Sequence, residues 1–521
     1  MITSPSLSSW RGKERVRLEN SLTSFFSPSL SGEEEGLPNK KMFGVCKTFF
    51  FVGLVFCLGG CKIKQEIPQN KPLLVAPSKF TAKADSVAST LPLIKEVFAD
   101  AELVSLIDSA LKNNFDLQMT MQKIEMARAG VRFVTGNDKP TLAAGTSLGL
   151  RRFGKYTMDG VGNFDTNFSD NITEKQKVPY PMLPDYYFGV QSSWEIDLWG
   201  KLKSQRQAAM ARLLASETGR NLLVTSLVAE ISSAYYELLI LDNELNFLEE
   251  NIDLQERAVE IIQTMKQAGQ SNQLAVELSS AQLLASKALK IEVNQEIIEI
   301  ENKINFLVGR YPQRVQRPVR AWSDVRPPRV AAGIPSQLLE NRPDIKQAEY
   351  ELLATKADLF TAKAAFYPSL NITGSLGMQS FRALSILSPQ SLALNTLGGL
   401  VAPLANRREL IANLMASKAE QQTAYINYQK TIVNSFTEVY NFLKLIENTN
   451  EIYQLKSQEV NVLRTSISTS TELFRYGRAT YLEVITAQRN ALQSQIELIN
   501  LRKNQYRAVI GLYKSLGGGW K

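Results

Sequence analysis

The sequence predicts an α+β membrane protein built from two internal structural repeats, each holding a helix, two lipid-facing strands and two very long helices. Three observations predict it. Residues 407–476 contain neither Gly nor Pro. At a rise of about 1.5 Å per residue, such a stretch is a helical rod of about 105 Å. From Tyr186 to Leu198 the side chains alternate: Tyr186, Phe188, Val190, Ser192, Trp194, Ile196 and Leu198 share one face, and Tyr187, Gly189, Gln191, Ser193, Glu195 and Asp197 share the other. Period two with one apolar face is the signature of a strand between lipid and water. An ungapped offset then aligns Leu111 with Leu339, Asn113 with Asn341, Asp116 with Asp344, Ala129 with Ala357, Pro140 with Pro368, Leu142 with Leu370, and Ser147-Leu148-Gly149 with Ser375-Leu376-Gly377.

The elements follow in the same order in both copies. A helical stretch comes first, Ala101–Val134 or Ser336–Phe366. In the second copy a strand is expected near 369–382, where Leu370, Ile372, Leu376 and Met378 oppose Asn371, Thr373, Ser375 and Gln379. A fourth strand is expected near 391–403. The long helices are Leu202–Ala268, interrupted only by Gly219, with residues 270–308, 407–476 and 478–510. A second, shorter offset aligns Gly269 with Gly477 and Gly309 with Gly517, so the first copy carries extra residues between Gly149 and Gly269. They fall in Lys155–Asp185, rich in Gly, Asn, Asp and Pro, which reads as a long polar loop. Tyr311–Ile334, rich in Pro and Arg, reads as an extended linker between copies. The chain therefore divides into residues 101–310, 311–334 and 335–521, preceded by an export segment.

That segment is 40–61. Lys40, Lys41 and Lys47 precede an eleven-residue apolar run, Thr48–Leu58, and then Leu58-Gly59-Gly60-Cys61. The run is short of the ~20 residues a transmembrane helix needs. It reads as a lipoprotein signal peptide, residues 42–60, cleaved after Gly60. Cys61 is then expected to carry a covalent diacylglycerol and an N-acyl lipid, and by analogy with bacterial lipoproteins Lys62 permits transfer to the outer membrane. Residues 61–100 are expected to form an extended segment after the lipidated cysteine. Residues 1–41 are polar, with Glu33-Glu34-Glu35, and suit neither a signal nor a core; they are expected to lie upstream of a start at Met42. The three cysteines all fall between 46 and 61, so none can staple the body of the chain.

Composition argues against an enzyme. The chain has no histidine, which removes the usual general base and the commonest metal ligand. No Gly-rich phosphate loop and no metal-ligand spacing is present. The net charge of +8 is spread along the chain and interleaved with acids, which does not suit nucleic acid. No catalytic residue, metal site or cofactor beyond the lipid is expected.

Four strands per chain cannot close a barrel, and open edges are forbidden in lipid, so an oligomer with cyclic symmetry is required.

Several motifs together resemble the RND-type outer-membrane efflux lipoproteins, the NodT group of the TolC-like outer-membrane factor family. They are Gly333-Ile-Pro-Ser-Gln-Leu-Leu-Glu-Asn-Arg-Pro-Asp344, Ala364-Ala-Phe-Tyr-Pro-Ser-Leu-Asn-Ile-Thr-Gly374, Arg475-Tyr-Gly-Arg-Ala-Thr-Tyr-Leu-Glu-Val-Ile-Thr-Ala-Gln-Arg489 and Leu512-Tyr-Lys-Ser-Leu-Gly-Gly-Gly-Trp520. Trp194-Glu-Ile-Asp-Leu-Trp-Gly-Lys201 is similar to the family's exit from its second strand, with Gly200 at the strand-to-helix turn. The equivalent turn in the second copy holds Asn406 where the family usually has Gly; Asn tolerates positive φ better than most residues.

The resemblance implies a homotrimer: a 12-stranded barrel in outer-membrane lipid, continuous with an α-helical periplasmic barrel. It implies a passive conduit for drugs, metals or other small molecules, coupled to a periplasmic adaptor (membrane fusion protein) and an inner-membrane RND-type pump. The turns at Gly269 and Gly477 become adaptor-contact tips. Glu483 becomes an anionic ring at a closed aperture, Thr486 stands where some members have a second acid, and Phe474 lies near the same constriction. The exit duct of a type I protein-secretion system and a pore-less structural lipoprotein are the alternative readings.

Overall fold

The computed structural model describes residues 100–318, 327, 335–403, 405 and 407–520, all within the larger of the chain's two units, Asn70–Lys521. The signal peptide, Gly60, Cys61, Asn406 and most of the linker lie outside the described residues.

Helix α1 is Ala101–Asn113 and α2 is Phe115–Gly136. The single stretch expected from Ala101 to Val134 is thus two helices. The break is Asn114, whose ψ of 129° is extended. Its side chain accepts from Leu117 N at 3.0 Å, capping α2, and donates to Leu307 O at 2.8 Å. A buried amide bound on both sides holds the kink against helix continuation. The second half of the chain breaks at the aligned place. A turn of helix, Leu338–Asn341, ends at Arg342, and Pro343 opens α5 at Pro343–Ala364 (α3 and α4 are the long pair below). Proline suits a first helical turn, where its missing N–H has no partner to lose.

Four strands follow the predicted order: β1 Thr141–Arg151, β2 Leu183–Ile196, β3 Ser369–Ser380 and β4 Leu392–Val401. They form one antiparallel sheet, β1-β2-β3-β4. The pairing of β2 with β3 joins the two halves of the chain. Strand β2 begins three residues earlier and ends two earlier than its alternation suggested, so the loop before it spans 152–182. That loop is not wholly irregular: Met158–Thr166 is helical, with Thr157 accepting from Gly160 N as N-cap.

The long helices are α3 Lys201–Gln267, α4 Gln273–Val308, α6 Arg407–Arg475 and α7 Tyr481–Ser515. Gly219 does not interrupt α3. With 69 residues, α6 is about 100 Å long. The apolar part of α3 would suffice in length and composition to cross a bilayer, but it is buried inside the protein. It forms the main core instead: Val224, Leu227, Ile231, Tyr235, Leu238 and Leu241 pack against α1, against Ile304 and Val308 of α4, and against Ile510 and Tyr513 of α7. A smaller cluster joins Leu338 and Ile345 to Val439 of α6 and Leu512 of α7. A third joins Ile262 and Ala275 to Tyr481, Val484 and Ile485 at the far end of the rods.

The start of the linker is tied down. Val315 is buried, and the Arg317 guanidinium donates from Nη2 to Asp242 at 2.8 Å while also pairing with Glu301.

Candidate channel wall and aperture

The register converts four sequence patterns into one surface. Leu142 faces Ser192, Ala144 faces Val190, Thr146 faces Phe188 and Leu148 faces Tyr186. The same rows continue through Leu376 and Met378 to Leu394 and Leu392. One face of the sheet therefore reads Leu142, Leu148, Leu150, Phe188, Val190, Trp194, Ile196, Leu370, Ile372, Leu376, Met378, Leu392, Leu394 and Leu400. Register places Ser147, Asp185, Gln191, Glu195, Asn371, Thr373, Ser375, Gln379 and Asn395 on the opposite face, with Leu397 and Val401 among them, while Thr146, Ser192 and Thr396 fall on the apolar face. Many of the apolar side chains are exposed, Leu142, Leu148, Phe188, Leu392, Leu394 and Leu400 among them. Water is a poor solvent for so large an apolar patch. Strands of 10 to 14 residues suffice for the ~9–11 needed to cross the hydrocarbon layer at a tilt.

Aromatic rings mark the end of the sheet nearest the helices. Trp199 stacks on Tyr367 with centroids 5.0 Å apart and donates to Pro368 O at 2.7 Å. Trp194 donates to Asp138 O at 3.1 Å. Such amphipathic rings, apolar body and satisfied N–H, suit a membrane–water boundary.

Two of the long helices, α3 and α6, leave from that same end, and α4 and α7 run back from the far tips. Gly200 makes the exit from β2 possible: its φ of 75° is left-handed, and Lys203 N then donates to Asp197 at 2.8 Å. At the far end Gly269 and Gly477, with φ of 74° and 68°, close the two helix pairs. Gln270 N reaches Met265 O and Arg478 N reaches Leu473 O, both at 2.8 Å, so each turn satisfies carbonyls that a helix end leaves orphaned.

Glu483 lies in the first turn of α7, exposed and shortly after Gly477. Thr480 Oγ1 donates to its carboxylate. That hydroxyl, with the backbone N–H groups of the helix start, holds the carboxyl below the ordinary glutamate range. A helix N-terminus favours negative charge, so Glu483 is an anion at neutral pH. Thr486 is half-buried one turn further on. Phe474 packs edge-on against Tyr481, centroids 5.3 Å apart, and within the cluster that joins the two helix pairs. Tyr481 also receives a bond from Ser279 Oγ at 3.0 Å. The structure thus gathers Phe474, Gly477 and Glu483 at one tip.

Sequence reasoning missed the buried ion pairs. Arg342 donates to Ser515 O at 2.7 Å, to Asp344 at 2.7 Å and to Glu438 at 2.9 Å. Asn114 and Leu307 make the corresponding bond in the first half, at the same two offsets that align the sequence. That alignment was the available signal: it sets Arg342 opposite Asn114. Glu237, on α3, is held by Arg507 at 2.9 Å and Lys503 at 3.4 Å. Among the described residues no cluster of His, Cys, Asp and Glu suits a metal ion.

Comparison with known proteins agrees with this geometry. The chain is 25% identical over 479 residues to the cation efflux system protein CusC of Escherichia coli K12, covering 91% of this chain and 99% of that one. It is 29% identical over 451 residues to the pyoverdine export outer membrane protein OpmQ of Pseudomonas aeruginosa, covering 86% and 92%. A crystal structure of CusC superposes with a TM-score of 0.75 at 25% identity, over 85% of this chain and 97% of that chain. The outer membrane efflux protein profile matches twice, over residues 106–310 and 334–518, and the chain belongs to that family.

Proposed function

We propose that this outer-membrane efflux channel works as a homotrimer in which three four-stranded sheets close a 12-stranded barrel and the long helices continue it as a periplasmic tunnel. The observation that carries the reading is the sheet itself. Four strands place most of their large apolar side chains on one face in one register, yet β1 and β4 each leave an edge of unpaired N–H and C=O groups. Lipid cannot satisfy those groups. Joining β4 of one copy to β1 of the next satisfies them, and puts the polar face around a lumen. The equivalent bonds of Asn114 and Arg342 support two structural repeats per chain.

The turns at Gly269 and Gly477 are the surface offered to a periplasmic adaptor, which links the channel to an inner-membrane RND-type pump. Glu483 forms an anionic ring where three tips converge, with Thr486 and Phe474 beside it. Lipid on Cys61 holds each chain to the membrane. Relatives named for cation efflux and pyoverdine export support a cargo of small solutes, chosen by the pump.

Planar-bilayer recording of the purified oligomer tests both levels. Discrete conductance steps that favour cations are expected, and Glu483→Ala should weaken that preference, because a ring of carboxylates concentrates cations. A folded oligomer that never conducts would sink the channel. Unaltered selectivity in the variant would sink the ring while leaving the channel standing.

A further inference from the structure

Both hairpin loops leave the sheet at the end opposite the long helices: residues 152–182 between β1 and β2, and 381–391 between β3 and β4. Their inner halves are clipped together. The Arg382 guanidinium donates to Glu174 O at 2.8 Å and to Lys177 O at 3.2 Å. Since β2 neighbours β3, this clip lies over the middle of the sheet.

The rest of each loop adjoins an edge strand, β1 for the first and β4 for the second. After β1, the chain forms the helix Met158–Thr166 and folds back on itself: Asn167 donates to Val178 O at 2.9 Å and accepts from Val178 N at 2.7 Å. Phe164 is held between Phe168, at 5.0 Å, and Tyr180, at 5.7 Å. That packing leaves Tyr156, Met158 and Val161 uncovered, Met158 at 94%. On the other side, Ser391 Oγ donates to Ser385 O at 2.6 Å, which sets the turn of Leu384 and Leu387 at the head of β4. These two leucines are 102% and 80% exposed.

Large apolar side chains so fully in water mark an interface. Chain order says which one. In a closed barrel of identical copies, β4 of one chain lies against β1 of the next, so the turn carrying Leu384 and Leu387 meets the helix carrying Met158 and Val161. We propose that these residues form an apolar clasp between neighbouring copies, above each barrel seam at the outer mouth. The proposal rests on the closed-barrel reading, since the occupant is a second copy of this chain. The clasp would hold the loops of adjacent copies in register, where strand pairing alone leaves the rim free to splay.

Cysteine cross-linking of the full chain in outer membranes tests it. The double variant Met158→Cys/Leu384→Cys should give cross-linked dimers and trimers on oxidation, absent from the parent and from either single variant. Leu384→Asp/Leu387→Asp should lower the temperature at which the detergent-purified oligomer dissociates, with helix content unchanged. An oligomer that is trimeric by native mass spectrometry, yet gives no cross-link above the parent and no altered dissociation, overturns the clasp and spares the barrel. A parent that is monomeric overturns the barrel reading itself. Strong quenching by spin-labelled lipid of a bimane attached to the Met158→Cys variant would assign the patch to lipid and overturn the clasp as well.

Discussion

Glu244 shows how much a single side chain owes to its surroundings. It sits on α3 with only 7% of its surface exposed. Burial pushes its carboxyl up to about 6, Glu296 on α4 pushes the same way, and Lys503 on α7 pulls against both. Lys503 is shared, because it also lies 3.4 Å from Glu237, which Arg507 holds from the other side. Three acids therefore face two bases at this junction of α3, α4 and α7. A carboxyl whose folded pKa is raised contributes most when protonated. Its contribution is complete below about 4.5 and is lost as pH rises through about 6. A shift of that size is worth about 2 kcal/mol. Glu244→Gln should therefore raise the apparent melting temperature at pH 8 and leave it unchanged at about pH 4.5, measured by circular dichroism on the intact protein. Equal effects at both pH values would refute the assignment. Nothing in the sequence around Glu244 announces this, because the residues that bury and charge it lie on other helices.

Among the elements, the period-two pattern of β2 placed the strand to within three residues, and its polar and apolar faces were legible before any coordinate. The contact at its centre was not. Gly189 and Gly377 are paired across β2 and β3, and a Cβ on Gly377 would lie 2.5 Å from Phe188 O and 2.7 Å from Gly189 Cα. Tyr187 leans over the pair, its hydroxyl donating to Val190 O at 3.3 Å. An aromatic ring over paired glycines restores packing that a side chain there would disrupt. Gly377→Val should thus cost about 1–3 kcal/mol by overpacking, seen as a lower melting temperature of the sheet by circular dichroism. Gly130→Ala is the control: it lies on α2, away from the sheet edges, its Cβ would meet nothing within 4 Å, and no loss is expected. The helix breaks at Asn114 and Arg342 were hidden only in part. Each break has a local part, the Asn114 cap on Leu117 N and the proline after Arg342, and a hidden part, the distant carbonyl that each side chain binds, Leu307 O or Ser515 O.

At the scale of the whole molecule, the rods are incomplete alone. Ile426, Val433 and Tyr440 are exposed at seven-residue intervals along α6, and so are Leu284, Ile291 and Ile298 along α4. A heptad stripe is a face that seeks another helix. Ile291→Glu combined with Ile298→Glu should shift the detergent-solubilised oligomer toward monomer in light scattering, while helix content stays the same. A variant that kept the parent's oligomeric mass would show that these stripes do not face neighbouring copies.

The local patterns were the sequence's own to determine: alternation along the strands, Gly-free and Pro-free rods, tip glycines, and two copies of one plan. The first three depend only on residues near in the chain, through the fixed geometry of strand and helix, and the last on matches read along the chain without any fold. Tertiary structure alone decided that Gly189 meets Gly377, that Glu244 is buried among charges, and that Ser279 bonds Tyr481 across the two helix pairs. Those outcomes depend on which distant elements touch, and proximity across hundreds of residues leaves no trace in local spacing.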